Sequence, residues 1–406
     1  MRGTDMKKTI VLLIAMLSVS ALFASGVTDD GVYKGVTDYA MRPLTVEPGD
    51  GVNYSLFGNA ASLATAKDDA LKIQFPYFES SSYNVSAALR DKGFAEAMSQ
   101  ITKFRWNRNT WVTYLVGLVA ASGSGYGQIV GVDTGFGAQI GHWAFGFNLD
   151  MAVHSMPGLD AEGKIKDTTS PIGNGYVPEL DYSIGAAYGR RVVDTDKVTI
   201  DAGAAVRVAM KVYMLQINAS EISKLIGGSK DFENLATRGG IAFPFDLGVT
   251  FGFLNGKLKF DVTATNLNGI YYMANYKNSK DAVLLKDGTD RYSLYTPFSL
   301  NGGVSYSFGF DYVDPTVYAN VIGINNYIGE GAGDALEYID AGIRLDLFDI
   351  VTLRASYRYG YPEFAIGASF YGNMLELSYG FQEAGLEYGE KPIDKLTFRM
   401  KLGYEK

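Results

Sequence analysis

The chain has 406 residues, a formal net charge of −8 and no cysteine, and 47% of its residues are hydrophobic. The negative charge argues against a nucleic-acid partner, and the mean hydropathy of +0.01 excludes a bundle of membrane helices. The lack of cysteine excludes a disulfide scaffold, a thiolate metal site, a cysteine nucleophile and a lipidated amino-terminal cysteine.

Residues 1–24 have the pattern of a secretory signal peptide. Lys7 and Lys8 precede an apolar run over residues 10–23, and the small residues Ala24, Ser25 and Gly26 follow it. The apolar run is too short to span a bilayer, so cleavage after Ala24 is favoured over a retained membrane anchor.

Residues 25–110 do not alternate, and they form the predicted amino-terminal segment before the first strand. The stretches "NYSLFGNAASLATAKDDALKI" and "NVSAALRDKGFAEAMSQITKF" predict short helices, because the second has apolar residues at helical spacing. Small and polar residues at the periplasmic entrance of a barrel would suit a partly helical plug that folds into the lumen. A small periplasmic domain beside the barrel is the alternative.

Residues 111–406 consist almost entirely of segments with a period of two, which is typical of β-strands. Most of these segments reach the ~9–11 residues that a tilted strand needs to cross a bilayer, whereas soluble strands average ~5–6. The predicted strands are 111–121, 126–140, 142–154, 179–191, 197–214, 243–254, 257–266, 296–310, 315–325, 336–348, 350–360, 363–371, 373–383 and 395–405.

The connections between these strands alternate between short turns and mostly long loops such as 215–242 and 267–295. Short turns at one end and long loops at the other are typical of an outer-membrane barrel. The sequence therefore predicts an all-β fold, a 14-stranded antiparallel transmembrane β-barrel with its apolar parity toward lipid. The predicted location is the bacterial outer membrane, with outer-membrane lipid and the barrel-assembly machinery as partners. A secreted β-sandwich is the alternative fold.

Charged residues fall on the predicted lumen parity of the last strands. A fourteen-stranded barrel has a radius of roughly 14 Å, too wide for side chains to fill, so it holds water or a plug. Mixed charges favour a network that holds a plug, and an ion-selective pore is the alternative. The cationic members of this predicted lumen charge network are Arg344, Arg354, Arg358 and Arg399.

The stretch "FGNAASLA", with Asn59, Ala60 and Ala61, resembles an Asn-Pro-Ala element in the plug of the long-chain fatty-acid transporter (FadL-type) family, although the proline is absent here. A helical segment followed by fourteen strands is similar to that family over nearly the whole mature chain. The resemblance implies that ligand leaves sideways beside a kinked third strand. Gly146 and Asn148 occupy the corresponding place in strand 142–154, where a glycine could also simply make room for a plug residue.

The resemblance also implies a function: an outer-membrane channel for passive uptake of hydrophobic small molecules such as long-chain fatty acids. The loops 215–242 and 267–295 are the predicted entry groove for this ligand. The predicted contacts are Leu225, Ile226, Ile270 and Tyr271. A general porin or a structural surface protein is the alternative function.

No feature of the sequence indicates an enzyme, a cofactor or a metal site. The two histidines, His142 and His154, fall in a turn and at a strand end, and neither comes with a nucleophile and an orienting group. The phosphate-binding pattern GxxxxGK[ST] and the metal-binding pattern HExxH do not occur.

Overall fold

The computed structural model of the chain describes residues 58–83, 127–156, 175–214, 217–218, 237–296, 298–325, 338–348, 350–358, 361–370, 373–383 and 392–405. Eighteen strand segments in this part of the chain form one antiparallel sheet. None of the helices found there is both long enough and apolar enough to cross a membrane.

The described elements follow one another in chain order with only two short helices. A 3-10 helix at Ala60–Thr65 precedes the first strand, and helix α1 at Ser279–Val283 lies in the connection 277–288. The strand segments are β1 (Leu71–Tyr83), β2 (Gly127–Ile140), β3 (Trp143–Met156), β4 (Gly175–Asp194), β5 (Val198–Met214), β6 (Ile217–Asn218), β7 (Thr237–Ala242), β8 (Phe245–Phe253), β9 (Leu258–Leu267), β10 (Ile270–Tyr276), β11 (Thr289–Tyr295), β12 (Ser299–Ser307), β13 (Val313–Val321), β14 (Ile339–Leu347), β15 (Val351–Arg358), β16 (Tyr361–Phe370), β17 (Asn373–Glu383) and β18 (Pro392–Glu405).

The eighteen segments make fourteen strands that close on themselves. Segments β6, β8, β10 and β12 each continue the strand of the segment before them, because both parts pair with the same neighbouring strand. Segment β1 closes the barrel by pairing with both β18 and β2, so that Lys72 lies opposite Glu405 on one side and Gln139 on the other. The predicted 14-stranded antiparallel barrel is confirmed.

The prediction of the first strand at 111–121 is wrong, because the strand between β18 and β2 is Leu71–Tyr83. Residues 111–121 themselves lie outside the described residues. The barrel therefore begins inside the range 25–110 that was predicted as the plug segment. The alternation of β1 is hidden by Pro76, which lies in a register shift between Gln74 and Tyr77. Proline is tolerated in strands at such bulges, where it interrupts the period-two pattern.

The two faces of the wall have the predicted polarity. Large apolar side chains such as Ile184, Val206 and Phe364 are exposed on the outer face. Polar and charged side chains on the opposite parity, such as Asp201 and Arg354, are buried on the inner face. This alternation places apolar residues around the outside of the closed sheet and polar residues inside it.

The connections separate by length between the two ends of the barrel, as predicted. One end, the short-turn end, carries the turns 141–142, 195–197, 254–257, 308–312, 348–350 and 371–372. The other, the long-connection end, carries 84–126, 157–174, 219–236, 277–288, 322–338 and 384–391, together with one short connection at 359–360. The predicted loop 267–295 is wrong in extent, because β10 and β11 lie within it and leave 277–288 as the connection between them.

Three neighbouring strands are interrupted at a similar level, between β7 and β8, between β9 and β10, and between β11 and β12. Side chains there replace part of the backbone hydrogen bonding between the strands. Asn266 and Asn268 have φ of 59° and 60°, in the left-handed region that asparagine tolerates. The Asn266 backbone N–H donates to Asp246 at 2.7 Å, and the Asn266 side-chain amide donates to the Thr296 carbonyl at 3.1 Å. The Asn268 side-chain amide donates to the Phe243 carbonyl at 3.2 Å. These bonds keep the wall joined where backbone pairing is broken.

Candidate functional site

Three glycines on the inner face of the wall receive the 3-10 helix near the short-turn end. Gly189, Gly203 and Gly248 lie opposite one another on β4, β5 and β8 and are here named the glycine cradle. A Cβ atom at Gly189 or Gly203 would overlap with the backbone of Ala60, and one at Gly248 would overlap with the side chain of Asn59. Only residues without a side chain allow the helix this close an approach.

Asn59 fixes the beginning of the helix to the wall. Its Oδ1 accepts a hydrogen bond from the Ala61 backbone N–H at 3.0 Å, which caps the helix. Its side-chain amide donates to Thr250 Oγ1 at 3.1 Å and to Asp261 Oδ1 at 2.9 Å, on β8 and β9. Asn59 is 1% exposed, and Ala60 and Ala61 are buried with it. All three residues of the predicted plug motif thus lie against the inner wall.

His142 holds the other end of the helix. This residue lies in the turn between β2 and β3, with Nδ1 3.0 Å from the Leu63 carbonyl and Nε2 3.1 Å from Asp68 Oδ1. The Gly141 backbone N–H donates to the Ala70 carbonyl at 2.8 Å just beyond it. The chain is therefore attached to the wall from Asn59 to the start of β1. The rest of the predicted plug, residues 25–57 and 84–110, lies outside the described residues and stays a prediction.

A second site is an apolar patch on the inner face toward the long-connection end, here named the inner apolar cluster. Tyr271 and Met273 on β10 pack there with Leu294 opposite Tyr271 on β11. The Tyr213 and Tyr292 hydroxyls lie 3.0 Å apart at its edge. The cluster consists of Val177, Ala209, Tyr213, Ala242, Tyr271, Met273 and Leu294, with Tyr292 against it.

Charged side chains border the inner apolar cluster. Lys211 forms ion pairs with Glu179 and Asp181 on β4, and its Nζ lies 5.9 Å from the centre of the Tyr271 ring. The Arg238 guanidinium lies 6.0 Å from the centre of the Tyr292 ring. Such positions over aromatic faces are favourable for a cation. The site therefore joins an apolar surface to a charged border on the same inner wall.

The four predicted ligand contacts do not form one group. Tyr271 belongs to the inner apolar cluster. Ile270 precedes it in the same strand segment and so faces the other side of the wall, because successive side chains of a strand point to opposite faces. The prediction that both line one groove is therefore wrong. Leu225 and Ile226 lie outside the described residues, and their contact with ligand stays a prediction.

The predicted lateral opening at Gly146 and Asn148 is contradicted by the pairing of β3. Gly146 lies opposite Gly137 on β2 and Gly185 on β4, and both ladders continue without a register shift around it. Asn148 likewise has a partner on each side. The strand is not kinked there because the small residues at this level fit a regular ladder. The interruption of the wall lies instead in the strands that contain Phe243, Asn268 and Thr296.

Three of the cations predicted to line the lumen, Arg344, Arg354 and Arg399, form ion pairs along the inner face of the last strands. Arg354 Nη2 lies 3.0 Å from Glu363 and 3.2 Å from Glu376, and Arg399 Nη1 lies 2.8 Å from the same Glu376 oxygen. Arg344 pairs with Asp346 at 2.9 Å. These partners belong to the wall and not to a plug, so the expected contact of these cations with plug groups stays a prediction. The side chain of Arg358 lies outside the described residues.

Several site residues were missed by the sequence analysis. Gly189, Gly203 and Gly248 were not singled out, although three small residues in adjacent strands could have indicated a close approach. His142 was placed in a turn without a partner, because Asp68 is far away in sequence. Met273 lay in what was predicted to be a loop. Among the described residues no group of three or more acidic or histidine side chains could hold a metal ion.

No protein-family model matches the sequence, and no curated protein matches it either. Solved structures resemble the fold. The toluene transporter TodX of Pseudomonas putida is 14% identical with a TM-score of 0.38, over 87% of this chain and 93% of that chain. A FadL homologue of Pseudomonas aeruginosa is 11% identical with a TM-score of 0.40, over 91% and 97%. The translocator domain of the autotransporter NalP from Neisseria meningitidis is 10% identical with a TM-score of 0.33, over 87% and 94%.

Proposed function

We propose that this chain is a bacterial outer-membrane channel for the passive uptake of hydrophobic small molecules, with long-chain fatty acids as candidate substrates. The observation that carries the proposal is the inner apolar cluster. The interior of a membrane barrel is ordinarily polar, so the apolar side chains of Tyr271, Met273 and Leu294 on that face are unlike the lining of a water-filled pore. These side chains are buried, with exposures of 0% to 8%, so an apolar ligand would bind by entering among them and displacing the groups that cover them.

The outer face supports the membrane location. A closed sheet leaves no unpaired edge, and its outward parity presents exposed Ile184, Val206, Phe364 and Ile366. A soluble protein with so much exposed apolar surface would aggregate, whereas lipid covers it. Export of the chain by a cleaved signal peptide over residues 1–24 belongs to the same proposal.

The attached helix supports a selected route over a general pore. The 3-10 helix occupies the inner wall near the short-turn end, so solute leaving the lumen there passes Asn59 and the glycine cradle. The resemblance of Asn59, Ala60 and Ala61 to the plug element of the FadL-type family points to the same class of substrate. Transport of this kind needs no catalytic group, so no enzymatic activity is proposed.

Replacing Tyr271 and Met273 together by alanine tests the ligand site. We expect the double variant to bind a fluorescent fatty acid at least about tenfold more weakly, because losing contact with one large apolar side chain costs about 1.5 kcal/mol or more. The measurement is a fluorescence titration of the purified barrel in detergent.

Ser356→Ala is the matched control, since it shortens a buried polar side chain on β15 outside the cluster. It should bind the probe like the parent. Equal affinity of the parent and the double variant would contradict the ligand site. A parent that binds no probe and conducts ions freely would favour the general porin instead.

A further inference from the structure

The connection between β10 and β11 lies on the outside of the barrel and not over its mouth. Helix α1 begins after Asn278, whose side chain accepts a hydrogen bond from the Asp281 backbone N–H at 2.8 Å. Ala282 is fully buried in a cluster with Met210 and Val212 of β5. These two residues alternate with Lys211, which faces inward, so they belong to the outer face.

A glycine on the outer face makes room for α1. Gly239 lies opposite Val212 on one side and Ala274 on the other. A Cβ atom at Gly239 would be 3.3 Å from Ala282 Cβ and 3.4 Å from the Ala282 carbonyl oxygen. A side chain here would therefore push the helix away from the wall, and its absence allows close packing.

The level of α1 corresponds to the upper margin of the apolar belt. Along the outer face of β5, Val206 and Val208 are exposed, whereas Met210 and Val212 are covered by the α1 cluster. The ten steps along the chain from Val198 to Val208, in a strand tilted by about 40°, rise about 25 Å, which is the height of the belt in membrane barrels. Helix α1 thus begins where lipid contact along β5 ends.

The surface of α1 that faces away from the wall is apolar and bordered by charged residues, which include the exposed Asp287 beside the lysines. Val283, Leu284 and Leu285 are consecutive and exposed, and Leu284 is 63% exposed. The exposed basic residues around them are Lys277, Lys280 and Lys286. A short segment with an apolar surface and lysines around it is suited to the boundary between lipid head groups and acyl chains.

We propose that α1 and the residues up to Lys286 form an interfacial anchor in the outer leaflet. Leu284 and its apolar neighbours enter the head-group and acyl boundary, and the lysines face lipid phosphates, which attract basic residues at a membrane surface. The proposal rests on the membrane location proposed above. Lipid is the occupant because the exposed residues continue upward from the belt of Val206 and Val208 on the same side of the wall.

The absence of native cysteine makes a clean test possible. Three single-cysteine variants, Leu284→Cys, Val206→Cys and Asp196→Cys, each carry an environment-sensitive fluorophore in nanodiscs of phosphatidylcholine and phosphatidylglycerol. Val206 is the belt control, and Asp196, exposed in the turn between β4 and β5, is the aqueous control. Lipids with a doxyl group near the head of the acyl chain quench from the boundary, and iodide quenches from water.

We expect the label at Leu284 to be blue-shifted and quenched by the doxyl lipid, and to be protected from iodide relative to the label at Asp196. The anchor would be overturned, and the membrane location would stand, if the doxyl lipid quenches the label at Val206 while iodide quenches the label at Leu284 as strongly as the label at Asp196. Protection of Leu284 from both quenchers would also overturn it and indicate a second copy of the chain on this face. Loss of quenching at Val206 as well would overturn the membrane location itself.

Discussion

The Gly203→Val variant should conduct ions several-fold better than the parent in planar lipid bilayers. Gly203 is the middle member of the glycine cradle, and a side chain there would overlap with the backbone of Ala60. Valine suits a strand, so the wall itself should tolerate the change. The 3-10 helix has no such freedom, because Asn59 and His142 hold its two ends. It must move away from the wall or lose these bonds, and the short-turn end should open.

Gly302→Val provides the control for this experiment. A Cβ atom at Gly302 would approach no atom other than its immediate chain neighbours closer than 3.5 Å, an ordinary contact distance. Its conductance should match that of the parent. Equal increases in both variants would indicate a general loosening of the barrel. An unchanged conductance of Gly203→Val, with faster hydrogen exchange at Ala61 to show that the helix has moved, would mean that the helix does not limit flow.

The Arg354→Met variant should lower the stability of the barrel by about 3–5 kcal/mol. Arg354 is buried and shares its guanidinium between Glu363 and Glu376. Removing one partner of a buried ion pair leaves a charge without compensation, and this is the costly way to break such a pair. A urea titration that follows the folded barrel by its gel mobility measures the loss.

Two further variants make the interpretation specific. Ser378→Ala removes a buried hydroxyl from β17 close to Glu376 in the strand, and it should cost about 1 kcal/mol. Adding Glu363→Gln to Arg354→Met should restore part of the stability, because it removes the charge of a buried carboxylate that has lost its ion pair with Arg354. If Arg354→Met is no more harmful than Ser378→Ala, or if the added glutamine restores nothing, the ion pairs do not stabilise the wall as described.

Most of the barrel could be predicted because one physical signal repeats along it. Strands such as Val198–Met214 and Asn373–Glu383 separate apolar from polar residues with a strict period of two, and this pattern follows from facing two different environments. The lengths of the connections then show which strand ends lie at the short-turn end of the barrel and which lie at the long-connection end. The first strand escaped prediction because Pro76 and its bulge break the alternation, and because the polar run Ser80–Ser82 weakens it further.

The candidate site was only partly predictable, because its contacts join parts of the chain that are far apart in sequence. Asn59 was identified from a resemblance, but its partners Thr250 and Asp261 follow only from the closed wall. Tyr271 lies opposite Leu294 because of the register between β10 and β11. This register could not be predicted, because the sequence analysis treated 267–295 as a loop without strands. The regular ladder around Gly146 could not be foreseen either, since a glycine in a strand fits a bulge and a regular pair equally well.

The seam between β1 and β18 sets the order in which this barrel can be completed. It joins Lys72 to Glu405 and Tyr83 to Lys395, so nearly the whole chain separates the two partners. All other neighbouring strands of the barrel follow one another in sequence. The seam, in contrast, forms only after the last residues have been synthesised and have paired with the first strand. The entropy cost of closing a loop grows only with the logarithm of its length, but contacts between residues so far apart in sequence form slowly. Closure of the seam is therefore a late step of folding. A chain that ends before Pro392 would leave both β1 and β17 as open edges, and its fate would be to aggregate or be degraded rather than to work as a smaller pore.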